Sequence, residues 1–103
     1  LKIAAPGQIE TLTFWRGEAF LAAKEHRKAI LDFSTVTEKY PKSLHAPKSL
    51  LRIGQAFEAL NMREDAKAFY QELRERFPQS SAAKEIKPVT LTPSQRPKSK
   101  AVR

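Results

Sequence analysis

Residues 14–46 read FWRGEAFLAAKEHRKAILDFSTVTEKYPKSLHA, and the same pattern returns without a gap at residues 51–83. At this offset of 37, nine of the 33 aligned pairs are identical: Gly17/Gly54, Ala19/Ala56, Phe20/Phe57, Ala22/Ala59, Ala29/Ala66, Glu38/Glu75, Pro41/Pro78, Ser43/Ser80 and Ala46/Ala83. Others are near-isosteric, among them Phe33/Tyr70, Val36/Leu73, Lys39/Arg76 and Tyr40/Phe77. A fixed period of roughly 20–50 residues marks stacked supersecondary units rather than one closed core. Such arrays work mostly by presenting a surface to a partner.

Each unit reads as a helical hairpin. From about Gln8 to Lys24, the residues Ile9, Leu12, Ala19, Phe20 and Ala23 share one stripe of a 3.6-residue helix and are expected to face inward. After a break near Glu25-His26, a second stripe of Ala29, Ile30, Phe33, Val36 and Tyr40 runs to Pro41, which cannot continue a helix. In the second unit a helix opening at Ser43 or Leu44 runs to about Asn61, with Leu50, Ile53, Gly54, Phe57 and Leu60 inward. The fourth helix, about Arg63 to Arg76, buries Ala66, Phe69, Tyr70, Leu73 and Phe77 ahead of Pro78. A short helix from Ser81 to Ile86 covers the open end. Gly17 and Gly54 fall mid-helix, where glycine costs about 1 kcal/mol relative to alanine. Two such costs at equivalent places predict close approach of helix backbones, with Ala29 and Ala66 facing the glycines and Phe20 and Phe57 alongside.

Composition bounds the chemistry. At 103 residues the chain makes one domain at most. It has no cysteine, so disulfides, thiolate metal sites and cysteine nucleophiles are excluded. No apolar run is long enough to span a bilayer. The chain begins at Leu1 without a signal pattern and is read as part of a longer protein. Half of the net charge of +8 sits in residues 88–103, where Arg96, Lys98, Lys100 and Arg103 face no acid.

The order Gly17, Phe20, Ala29, Phe33, Val36, Pro41, repeated as Gly54, Phe57, Ala66, Tyr70, Leu73, Pro78, resembles the signature of tetratricopeptide repeats, with three residues beyond that family's usual period. The predicted fold is thus an all-α, tetratricopeptide-type hairpin array: two 37-residue repeats plus a short C-terminal capping helix. The expected divisions are a linker over 1–7, repeat one over about 8–41, repeat two over about 43–78, a capping helix over about 80–87, and a basic disordered tail over 88–103. Finer features are similar to the C-terminal domain of the Tol-Pal-associated YbgF/CpoB family. They are Phe14-Trp15-Arg16-Gly17-Glu18-Ala19, Lys39-Tyr40-Pro41-Lys42-Ser43 followed by Ala46-Pro47, and Arg76-Phe77-Pro78-Gln79-Ser80 followed by Ala82-Ala83-Lys84. The barrel-assembly lipoprotein BamD shares the same tyrosine-proline-x-serine punctuation. Arg16 departs from the family's leucine, which weakens packing there or turns it to solvent, and the tail after Pro88 has no counterpart. The resemblance implies a periplasmic, non-enzymatic adaptor that coordinates envelope constriction with peptidoglycan synthesis.

In that fold the first helix of each pair lines a concave groove. By register its exposed side carries Thr11, Phe14, Trp15 and Glu18, then Lys48, Leu51, Arg52, Gln55 and Glu58. Trp15, apolar with one polar N–H, suits either a binding anchor or packing against whatever precedes residue 8. Lys48 and Arg52, four apart on one helix face, could clamp a carboxylate such as a peptide C-terminus, or form a solvated basic face. His26 and His45 lie on different elements and read as surface residues; no metal, cofactor or catalytic group is expected.

An interaction module therefore leads, with a protein or peptide as partner and self-association as a further expectation. Two other readings stand beside it. One is a cytoplasmic scaffold in polarity or signalling. The other is an anionic-polymer binder acting through the tail, whose four cations without aromatic interleaving give only loose, salt-sensitive attraction. Specific nucleic-acid binding is not expected.

Overall fold

The computed structural model describes residues 7–86. Five helices follow one another: α1 (Gln8–Ala22), α2 (His26–Lys39), α3 (Ala46–Ala59), α4 (Arg63–Arg76) and α5 (Ser81–Lys84), and there is no strand among the described residues. Each of α1 to α4 packs on the next, and α5 packs on both α3 and α4. The expected linker over 1–7 lies mostly, and the tail over 88–103 entirely, outside the described residues.

Both hairpins turn by the same device. Lys24 and Asn61, 37 apart, adopt the left-handed conformation with φ of 64° and 65°. The next residues, Glu25 and Met62, donate their N–H groups back to the carbonyls of Phe20 and Phe57, each at 2.8 Å. This closes off carbonyls that a helix end leaves unpaired. The second helix of each pair stops at Tyr40 or Phe77, because the proline that follows excludes helical backbone at the preceding residue. Helix α3 starts at Ala46 rather than at Ser43 or Leu44. Ser43 instead turns the chain, its Oγ accepting from the His45 N–H at 3.0 Å.

The core forms two clusters. One joins Phe14, Ala29, Phe33, Val36 and Ile53; the other joins Leu50, Leu51, Leu73 and Ala82. The inward stripes of α2, α3 and α4 are buried or half-buried as their periodicity predicts. Helix α1 is not as expected. Ile9, Leu12, Ala19 and Ala23 are exposed, and α1 buries Phe14 and Gly17 instead. Its apolar stripe points away from the neighbouring helix, which hydropathy alone does not register.

The glycines also do something other than predicted. A Cβ at Gly17 would stand 2.8 Å from Phe33 Cε1, and one at Gly54 would stand 2.7 Å from Tyr70 Cδ1. What comes close is an aromatic ring from the second helix, not its backbone. Ala29 and Ala66 are nonetheless fully buried. Ala66→Leu is therefore expected to overpack the second hairpin and cost about 1–3 kcal/mol, and an unchanged melting temperature would contradict that.

Tyr70, seated over Gly54, donates its hydroxyl to Glu58 Oε1 at 2.9 Å. Burial first, and then this carboxylate, raise its pKa above the ordinary phenol value. The neutral ring thus contributes stability that is in place below the unfolded value of about 10 and is lost as pH rises towards the folded one. Tyr70→Phe should flatten the alkaline fall of the melting temperature; an identical fall in both proteins would rule this out. Ser49 is completely buried, and its Oγ finds no hydrogen-bond partner. Ser49→Ala removes an unsatisfied hydroxyl and supplies a better helix former, so urea unfolding should show a gain of about 1 kcal/mol. A loss would mean the hydroxyl is satisfied.

Candidate functional site: the concave groove

The first helices line one side of the array, and an open concavity of about 430 Å³ lies along it. Its walls come from α1 (Phe14, Trp15, Glu18), from the entry into α3 and that helix itself (Leu44, His45, Pro47, Lys48, Arg52), and from the start of α5 (Ser80, Ser81, Ala82). Leu44 and Ser81, like His45 and Ala82, are 37 apart, so the groove is built from equivalent places in successive units.

The apolar part of the groove is held in place by aromatic packing. Phe14 is buried at its base, with the His45 ring stacked on it at 4.6 Å between centroids and 17° between planes. His45 Nε2 and Thr11 Oγ1 lie 3.1 Å apart in a hydrogen bond that ties the entry of α3 to α1. The expected surface histidine is thus a half-buried packing group. Trp15 meets Phe14 edge-on at 5.2 Å and is 57% exposed, while Leu44 is 94% exposed. Two large apolar side chains on one concave surface suit an apolar ligand group.

The cations are not poised for a carboxylate. Lys48 Nζ donates to Glu85 Oε2 at 3.0 Å. Arg52 Nε stands 2.9 Å from Glu18 Oε1, an ion pair that is not aligned as a hydrogen bond, and Arg52 Nη1 donates to Gln55 Oε1 at 2.8 Å. Both are also largely covered, so neither a free clamp nor a solvated basic face describes them. A ligand carboxylate would have to share each cation with an acid already beside it.

Of the residues predicted from register, Trp15, Glu18, Lys48 and Arg52 line the groove as exposed or half-exposed groups. Two need correction. Phe14 is a buried base rather than an exposed wall, and Leu51 is buried in the second cluster because it points towards α4 and α5. Thr11 and Gln55 act through His45 and Arg52, and Glu58 is taken up by Tyr70. Leu44, His45, Pro47 and Ser80 to Ala82 were missed, since they sit in turns and helix starts that a helical register does not reach. The 37-residue offset applied to the turns would have found them. Among the described residues no cluster of histidine and acidic side chains could hold a metal ion, and no helix is long and apolar enough to cross a membrane.

The model for the tetratricopeptide repeat matches this chain twice, over residues 11–43 and 48–80, more than half of its length and in the register of the internal repeat. The chain belongs to the tetratricopeptide repeat family. No curated protein and no solved structure matches it. Tetratricopeptide repeats support a role as a protein-interaction scaffold.

Proposed function

We propose that this tetratricopeptide domain is a non-enzymatic adaptor whose groove takes an apolar or aromatic side chain of a peptide partner. The observation that supports this reading is the pairing of exposed Trp15 and Leu44 on one concavity whose cations already have acidic partners. Burial of such a ligand group is favourable by about 25 cal/mol per Å² of apolar surface. Acyl-transfer chemistry has little to work with. Ser80 Oγ is engaged as the cap of α5, accepting from the Ala83 N–H at 3.0 Å, and His45 is held by Thr11 and Phe14.

The test is to pan a random-peptide library on the full chain and sequence the binders. Peptides sharing an apolar or aromatic anchor, lost on Leu44→Ser, support the reading. Binders defined by acidic residues, and lost instead on Lys48→Glu with Arg52→Glu, would replace it with a carboxylate clamp.

The finer reading is a bacterial cell-envelope adaptor of the Tol-Pal kind, located in the periplasm. Its support is the residue-level similarity around Phe14–Ala19, Lys39–Ser43 and Arg76–Ser80. Fractionation of cells expressing the complete gene product tests it: periplasmic recovery agrees, and cytoplasmic recovery favours the polarity or signalling scaffold.

A further inference from the structure

Helix α1 is apolar on both sides. It buries Phe14 and Gly17, yet its opposite face leaves Ile9 49% and Leu12 65% exposed, with Ala19 and Ala22 exposed beside them. A helix that is apolar all round is normally covered all round. Among the described residues, the large apolar side chains left exposed are Ile9, Leu12 and Trp15 of α1, Leu31 of α2, and Leu44 in the turn before α3. No other helix concentrates them as α1 does.

This face is not made for the contact that α2 and α3 share. Ile9, Leu12 and Arg16 stand where α3 has Ala46, Ser49 and Ile53, all completely covered. The first two are bulkier than their counterparts and the third is charged, so a helix laid on α1 at that spacing would overpack. Ile9, Leu12, Arg16 and Ala19 follow one another at intervals of three, four and three residues, the seam of a two-helix coiled contact. The seam is bulky at its start and small at its end. It is therefore complementary to its own reverse. An antiparallel second α1, related by a two-fold axis beside residue 14, sets Ile9 against the second copy's Ala19. Leu12 then lies along the aliphatic stem of the second copy's Arg16, and both contacts recur across the axis.

Charge selects the same arrangement. Arg16 Nε and Nη2 each donate to Asp32 at 2.7 Å, and the Asp32 carboxylate is itself buried. The guanidinium therefore keeps its counter-ion when the seam is covered. A parallel pair would instead bring Arg16 onto Arg16. Seating α1 on the last long helix of a second copy would set it against Lys67, Gln71 and Arg74, all exposed on α4. Of the three, the antiparallel pair alone covers apolar surface with apolar surface and holds the cations apart.

We infer that the outer face of α1 is a self-association surface, and that its partner is α1 of a second copy of this chain, packed antiparallel. The contact runs along a single helix of 15 residues, about 22 Å long. Its area falls at the low end for specific complexes, so the pair forms at concentrations on the order of tens of micromolar and above.

Sedimentation equilibrium tests this on the whole chain. Its mass should double between about 1 µM and about 500 µM. Leu12→Asp should hold it as a single copy throughout, with the melting temperature at about 1 µM unaltered because Leu12 is mostly exposed. The chain has no cysteine, so introduced ones report the orientation. Ile9→Cys chains mixed with Ala19→Cys chains should form a disulfide between copies at least about tenfold faster than Ile9→Cys chains alone. A chain that stays single at about 500 µM overturns the inference. So does a dimer that Leu12→Asp leaves intact, which places the contact elsewhere, and so does equal cross-linking in the two cysteine experiments, which removes the antiparallel register.

Discussion

Phe33→Ala is expected to lower the unfolding free energy by about 3–5 kcal/mol, a large part of what a small domain possesses. The Phe33 ring is fully buried, reaches across to the place where Gly17 has no side chain, and meets Phe14 edge-on at 5.6 Å. Removing it leaves a cavity that two packed helices cannot close, because the turn at Lys24 fixes how they meet. The mirror experiment is Gly17→Ala. Helix propensity alone would make it stabilising by about 1 kcal/mol, but the new methyl would stand 2.8 Å from the ring. The steric term wins, and a cost of about 1–3 kcal/mol is expected. Combined with Phe33→Leu, most of that cost should disappear, giving a coupling of about 1–2 kcal/mol in a double-mutant cycle. Additive effects would show that the ring and the glycine do not meet.

Trp15→Ala should weaken a groove-bound peptide by at least about 2 kcal/mol, roughly thirtyfold in Kd, with little effect on the melting temperature. The two effects separate because Trp15 is more than half exposed, meeting the buried Phe14 ring edge-on at 5.2 Å. A buried tryptophan would lose stability and binding together. Interface hot spots are enriched in tryptophan because one rigid side chain excludes much water at low entropic cost. Lys48→Gln should be far milder, since the lysine already faces Glu85 and the carboxylate it leaves behind is about half exposed to water. A variant series in which Lys48→Gln and Trp15→Ala change Kd equally would remove the distinction on which the apolar anchor rests.

The second helices were legible in the sequence because they are covered on two sides. Ala29, Phe33 and Val36 repeat at helical spacing, and every apolar position on that stripe finds a neighbour. Helix α1 was misread for the opposite reason. It has a described neighbour on one side only, so the apolar stripe of Ile9, Leu12 and Ala19 competes with the buried positions Phe14 and Gly17. The repeat alignment contains the answer, since Phe14 aligns with buried Leu51, but a hydropathy stripe cannot say which face has company. In the groove, Trp15, Glu18, Lys48 and Arg52 followed from register. The ion pairs Arg52–Glu18 and Lys48–Glu85 did not, because each joins residues far apart in sequence that only the stacking of successive units brings together. Those pairings set an acid beside each of the two cations that register alone offered as a carboxylate clamp or a solvated basic face.

The most direct measurement uses the single tryptophan of the whole chain as its own probe. Titration of the full chain with a selected peptide should shift Trp15 emission to the blue as its half-exposed indole is covered, with a midpoint matching the Kd found by calorimetry. Binding that leaves the emission of Trp15 unaltered, and that survives Leu44→Ser undiminished, would place the partner elsewhere and contradict the account.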